Sequence, residues 1–171
     1  MKGEFEMTMV GELTFFLGFQ IRQEETGIFF SQEKYAKNLI SKFGMDKAKP
    51  KRTPTTTHLK MTKDTTGEKV DSSLHRSIIR SLLYLTTSRP DIAFAVGVCA
   101  RYQADPRTSH LHSTKRILKY ITSTFKYGLW YTFDTTGVLV GYCYEDWAGY
   151  SDDRKSTSTG CFFFLKNNIA T

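Results

Sequence analysis

Leu13 to Gly44 reads LTFFLGFQIRQEETGIFFSQEKYAKNLISKFG, and a change of rhythm within it decides the fold class. Leu13–Gln23 is rich in aromatic and β-branched residues and runs into Glu24-Glu25-Thr26-Gly27, after which Ile28-Phe29-Phe30 resumes the pattern. Two such runs about a short glycine-containing turn predict a β-hairpin. From Ser31 the period lengthens. Tyr35, Leu39, Ile40 and Phe43 recur at i, i+4, i+5 and i+8, which predicts an amphipathic helix with Ser31 as its cap and Gly44 as its stop. Hairpin followed by helix marks an α+β chain.

Working outward, residues 46–70 are polar, threonine-rich and contain Pro50 and Pro54, so they read as a connector that takes no part in the core. Three helices are expected next. His75–Thr87 has a broad apolar face of Ile78, Ile79, Leu82, Leu83 and Leu85. Arg89-Pro90 ends it, because a residue before proline avoids the α region. Ser88-Arg89-Pro90-Asp91 has the spacing of a capping box and opens a second helix, Asp91–Tyr102, apolar enough to be buried. A third, Pro106–Ser123, sets Leu111, Leu118 and Ile121 against His112, Lys115, Arg116 and Lys119. From Gly128 the rhythm returns to strands at 129–131, 138–144 and 160–165.

The 171 residues suit one domain or two small pieces. No apolar run reaches the ~20 residues of a membrane helix, and Met1–Glu6 lacks the apolar core of an export signal. The expectation is an intracellular protein in an unassigned compartment. Cys99, Cys143 and Cys161 show no paired spacing and read as reduced thiols, while His110 and His112 lie on different faces of a helix and cannot share a metal. The charge of +7 is unevenly placed. Residues 49–130 carry fifteen Lys/Arg against five Asp/Glu, whereas the segments on either side are slightly acidic. Such a segment is either the footprint of a polyanion or a solvated lysine-rich surface, and charge alone leaves both open.

Several segments in order carry a resemblance: Phe16-Leu17-Gly18-Phe19-Gln20-Ile21, Ser81-Leu82-Leu83-Tyr84-Leu85-Thr86, Ser88-Arg89-Pro90-Asp91-Ile92, Lys115-Arg116-Ile117-Leu118-Lys119-Tyr120, Gly128-Leu129-Trp130-Tyr131, Asp146-Trp147-Ala148-Gly149 and Asp153–Ser158. Together they resemble the copia-type retrotransposon Pol polyprotein, from the end of its reverse transcriptase into the start of its ribonuclease H domain. The resemblance implies four segments: 1–45, the end of the palm with a primer-grip-like hairpin and helix; 46–74, a polar linker; 75–127, a helical thumb and connection; and 128–171, the first strands of a ribonuclease H-like mixed sheet, cut short. It implies an RNA–DNA hybrid or DNA duplex as partner, held through phosphates by Lys115, Arg116 and Lys119, with Phe19 and Gln20 at the primer grip. The remaining Pol segments would be further partners, and no membrane is implied.

The same resemblance predicts no activity from this chain alone. The family's paired polymerase aspartates precede the segment like Phe16–Ile21, and none stands here. Around the ribonuclease H metal position the family reads Gly-Tyr-Ser-Asp-Ala-Asp-Trp-Ala-Gly, whereas Gly141–Gly149 reads GYCYEDWAG. Tyr144 therefore replaces the first carboxylate, with Glu145 and Asp146 beside it, and a neutral phenol does not anchor Mg²⁺. The intact enzyme is expected to use Mg²⁺; for this chain no cofactor and no metal site are expected. The later catalytic carboxylates of the family would fall beyond Thr171. Arg80 and His75 stand where the family usually has Gly and Tyr, and a cation at a close helix contact is expected to cost stability, as in a decayed copy. The alternatives are a non-catalytic nucleic-acid-binding module and a translated relic without a selected role.

Overall fold

A computed structural model describes residues 11–56, 61–133, 138–145, 152 and 154–165. The elements run β1 (Phe15–Phe16), β2 (Phe19–Glu24), β3 (Gly27–Ser31), α1 (Glu33–Lys42), α2 (Ser72–Leu85), α3 (Pro90–Ala100), α4 (Thr108–Ile121), β4 (Gly128–Thr132), β5 (Val138–Glu145) and β6 (Ser158–Leu165). The class is α+β. Both sheets are antiparallel: four strands in the order β1-β2-β3-β4, and a separate β5-β6 hairpin.

The opening hairpin forms about the expected turn, with Glu24 opposite Gly27. Leu13–Gln23 is not one strand, however. It folds back at Leu17-Gly18, so that Phe16 pairs with Phe19. Gly128–Thr132, grouped with the later strands in the sequence reading, instead pairs with β3 across the register Gly27↔Thr132 to Ser31↔Gly128. A hydrophobic strand pattern carries no record of its partner, and β3 offered an open edge.

The core is helical. Leu39 and Ile40 of α1, Ile78, Ile79 and Leu82 of α2, Ile92 and Val96 of α3, and Ile117, Leu118 and Ile121 of α4 are buried together. At about 1.5–3 kcal/mol for each fully buried large aliphatic, this cluster dominates the stabilisation. The apolar α3 touches α2, α4 and β6, which is why it has no polar face. Gly44, at φ +64°, ends α1 as a left-handed cap.

The helix starts differ from expectation. Gln32 rather than Ser31 precedes α1 and makes no side-chain cap; the amide of Lys34 is instead satisfied by Oε1 of Gln20, at 2.8 Å, from the neighbouring strand. Asp71 caps α2 through the Ser73 amide. Ser88 does not cap α3. Its hydroxyl is buried and donates to Gln32 Oε1 at 2.8 Å. The polar connector is likewise not a free linker. Met61 is buried, the Met61 carbonyl accepts from the Tyr102 hydroxyl, the Thr62 carbonyl bonds His110 Nε2, and Lys51 N donates to Lys119 O. Few apolar residues suffice because the backbone groups of the strap find partners on α4 and at the end of α3. Arg80, expected to strain a close helix contact, is exposed.

Arg89 is the largest fully buried side chain, only 2% exposed. Its Nε and Nη2 donate to the two oxygens of Asp91 at 2.8 and 2.7 Å, and Nη1 and Nη2 donate to the carbonyl and hydroxyl of Thr124 at 2.9 and 2.8 Å. The rings of Tyr120 and Tyr127 lie 5.6 and 5.2 Å from the guanidinium carbon. The Tyr120 hydroxyl donates to Asp91; burial, reinforced by that carboxylate, pushes the phenol up to about 12. The α2–α3 corner is thereby tied to the end of α4. Arg89→Met leaves the Asp91 carboxylate with only the Tyr120 hydroxyl and the Thr124 carbonyl without its arginine donor, and should lower unfolding stability by about 3 kcal/mol in urea titration. Arg89→Lys should recover only part of this, since an ammonium lacks the planar fork. A loss below about 1 kcal/mol for Arg89→Met would show that the network is dispensable.

His75 is fully buried, its Nε2 3.2 Å from Thr114 Oγ1. Because the Thr114 hydroxyl donates to His110 O, it must accept from His75, which fixes the proton on Nε2 and leaves Nδ1 without a partner. Burial, with His110 adding to it, holds this imidazole below its ordinary value of 6.5. A folded-state value below the unfolded one means the unfolded chain binds the proton first. Stability is then complete above about pH 6.5 and falls as the pH drops below it. His75→Gln should show a shallower loss between pH 7 and 5 by thermal melting; an identical pH profile would exclude His75 as its source.

Candidate nucleic-acid interface

The hairpin turn is built under strain. Leu17 at φ +47° and Gly18 at φ +82° form the two central positions of a turn that demands positive φ at both. Glycine adopts it freely, but leucine gives up roughly 1 kcal/mol. Leu17 is also 72% exposed, beside the exposed rings of Phe15 and Phe16. Tyr84 of α2 holds the turn: its hydroxyl donates to Leu17 O at 2.7 Å, and its ring packs edge-on against Tyr35 of α1, centroids 4.8 Å apart. The turn is thus strained, apolar and solvent-facing, and it is pinned from behind by α2. The segments Phe16–Ile21 and Ser81–Thr86 are thus halves of one device.

The sequence-predicted contact residues are not brought together. Phe19 and Gln20 lie half-buried at the start of β2, where the Gln20 carbonyl caps α1 and is unavailable to a partner. Lys115, Arg116 and Lys119 lie on α4, but the strap crosses this helix. Arg116 Nη2 donates to Thr53 Oγ1 at 2.9 Å, and its Nε is buried without a partner beside a 40 Å³ cavity lined by Pro54, Thr55, Ala95 and Cys99. Cys99 is buried there, which raises its thiol to about 11 and leaves it unreactive. Lys119 is half-buried. Lys115 alone of the three is exposed. Counting charge could not reveal this, because the cover comes from a connector more than fifty residues earlier. The residues that sequence reasoning missed are Leu17 and Tyr84. A leucine preceding glycine in a turn was their only local signal.

Tyr144, expected from the resemblance to replace a metal-binding carboxylate, is 59% exposed near the end of β5 and packs edge-on against Phe94 of α3 at 4.6 Å. Glu145 follows on the same strand and so projects from the opposite face. Asp146 lies outside the described residues. Among the described residues no three His, Cys, Asp or Glu side chains are grouped to hold a metal ion. A neutral phenol and one carboxylate on opposite faces of a strand do not converge on one ion, so Tyr144 and Glu145 do not fit Mg²⁺. No described helix is long and apolar enough to cross a membrane.

The clasp makes a checkable claim. A Cβ on Gly18 would collide with the Tyr84 hydroxyl. Gly18→Ala should cost about 1–2 kcal/mol of stability from its backbone alone and more from the collision. In the Tyr84→Phe background the same substitution should cost at least about 0.5 kcal/mol less. Strictly additive costs in this double-mutant cycle would mean that turn and helix do not touch in solution.

Comparison with known proteins places this sequence in a lineage. A family model described as reverse transcriptase (RNA-dependent DNA polymerase) matches residues 1–57. An uncharacterized mitochondrial protein of Arabidopsis thaliana is 35% identical over 166 residues, covering 97% of this chain and 69% of its own length. The retrovirus-related Pol polyprotein from transposon TNT 1-94 of Nicotiana tabacum is 38% identical over 168 residues, 93% of this chain. That from transposon RE1 of Arabidopsis thaliana is 35% identical over 147 residues, 86% of this chain. The chain spans only 12% and 10% of those two polyproteins. No solved structure matches it. The ordered motifs, the reverse transcriptase match and these relatives together establish that the chain belongs to the copia-type retrotransposon Pol polyprotein family.

Proposed function

We propose that this chain is the part of a retrotransposon reverse transcriptase that holds the template–primer duplex, and that by itself it catalyses nothing. The observation that carries this reading is the strained Leu17-Gly18 turn, which presents an apolar tip while Tyr84 locks it to the basic helical unit. A hairpin that must meet the end of a primer needs a fixed tip. A thumb that follows a duplex of any sequence needs cations facing phosphates rather than side chains reading bases. On this reading residues 11–45 are the end of the palm with its grip, the strap is a covering of the thumb, and α2–α4 are thumb and connection. The β5-β6 hairpin is the start of a ribonuclease H-like domain, and β4 belongs with the grip sheet. The partners are an RNA–DNA hybrid or DNA duplex and other Pol segments, inside the cell. Mg²⁺ is a requirement of the intact enzyme, held by carboxylates other than those described here.

Fluorescence anisotropy with a labelled RNA–DNA hybrid tests the reading. Binding should be measurable at low salt and should weaken steeply as salt rises. Lys115→Gln should reduce the salt slope by about one contact, while Arg116→Gln, already engaged with Thr53, should change it less. Primer extension with Mg²⁺ or Mn²⁺ should yield no product. Absence of hybrid binding at low salt would leave a relic without a selected role as the better account; extension by the isolated chain would overturn its inactivity.

A further inference from the structure

Helix α2 has a polar face that the core does not use and that the family motifs touch only at Ser81. Ser73, Arg76, Ser77, Arg80 and Ser81 recur at i, i+3, i+4, i+7 and i+8, and with Lys42 of α1 they line an open groove of about 390 Å³. The residues that line it are all polar or charged, with three cations among them and no carboxylate. Arg76 Nε donates to Gln103 O at 3.1 Å, which holds its guanidinium in place. Arg80 is exposed and forms no hydrogen bond or ion pair with another described residue. Neighbouring cations without a countercharge repel one another, and a concave wall concentrates their potential. Such a surface is relieved by an anion.

The spacing says which anion. Arg76 and Arg80 stand just over one turn apart, ~6 Å along the helix, so they form a ladder rather than a single point. The guanidinium fork suits phosphate oxygens. The serines keep the floor of the ladder low, which lets a backbone approach, and their hydroxyls are further polar contacts. An acidic peptide would need apolar pockets for anchorage as well, and the groove offers none. We infer that the Ser73–Ser81 face of α2, together with Lys42, seats the sugar–phosphate backbone of a nucleic-acid strand, with Arg80 supplying a contact where the family pattern has glycine. This rests on the nucleic-acid reading above but names a surface distinct from the α4 face.

The test is anisotropy of a labelled RNA–DNA hybrid titrated with wild type, Arg76→Gln/Arg80→Gln, and a control of equal net charge at exposed cations outside the grip and α2–α4, Lys126→Gln/Arg154→Gln. Both arginines are exposed, so the double variant should keep the wild-type circular dichroism, with only a small fall in melting temperature from the lost Arg76–Gln103 bond. Its salt slope should shrink by about 1.5–2, close to one unit per lost phosphate contact, whereas the control should change by much less. Arg80→Lys should retain most of the slope as a point charge. If wild type fails to bind at all, the reading of the whole chain fails. If wild type binds and the groove variant matches it or the control, only the groove is wrong. Unchanged hybrid binding with loss of polyglutamate binding would overturn the inference in favour of an acidic protein partner.

Discussion

A buried guanidinium sets the frame of this molecule. Arg89 sits where three helices meet, and burying its charge is tolerable only because four hydrogen bonds and two aromatic rings replace water. Aliphatic side chains at the same meeting point would pack in several ways. A planar fork held by Asp91 on one side and Thr124 on the other admits one. The angle at which α2 turns into α3, and the place where α4 must end, are therefore consequences of one side chain. The guanidinium also lies at the carboxyl end of α4, where the helix dipole favours a cation.

A second polar relay joins that corner to the sheet. Gln32, buried between β3 and α1, accepts at Oε1 from Ser88 and more weakly from Thr87, the residues just before Arg89. Gln20 in turn caps α1 from β2. From the opening hairpin to the end of α4 the connections are polar and specific, laid over a hydrophobic core that supplies most of the stabilisation. Tyr84 adds the outermost link, from α2 to the strained turn. The result is that the exposed tip of the hairpin has a defined position relative to α2. The proposed duplex-holding role requires that of its parts, since a hairpin that moved independently of the helices would not define where a strand end lies.

What could be read from the sequence follows the same division. Periodicity located all four helices and the hairpin at 19–31, because burial of one face writes a local pattern. The uniformly apolar Ile92–Ala100 announced a helix covered on every side, and α2, α4 and β6 cover it. Polar partners wrote no such pattern. Ser88 has the spacing of a cap, yet its hydroxyl goes to Gln32, fifty-six residues away. Gln20 looks like a surface contact, and it closes a helix. Gly128–Thr132 has an ordinary strand composition, and its partner is about a hundred residues earlier. The candidate site was legible in its parts, the Phe16–Ile21 and Ser81–Thr86 segments, but their joining through Leu17 and Tyr84 was not.

Charge shows the limit of counting most clearly. The middle of the chain carries the whole basic excess, but several of its cations serve internal needs. Arg89 is buried, Arg107 bonds Gly67 and Asp105, and Arg116 is held by Thr53 under the strap. Subtracting them moves the outward-facing charge from α4, where the sequence concentrates it, toward α2, where Arg76 and Arg80 stand open. It also changes the meaning of Arg80. At a close helix contact an arginine in place of glycine would be a defect, and the family departure would read as decay. On an exposed helix face it strains nothing, has better helix propensity than glycine, and adds to a groove that already holds two cations. Stability gives no reason to select against it, so the departure is as consistent with a retained surface as with a lost one.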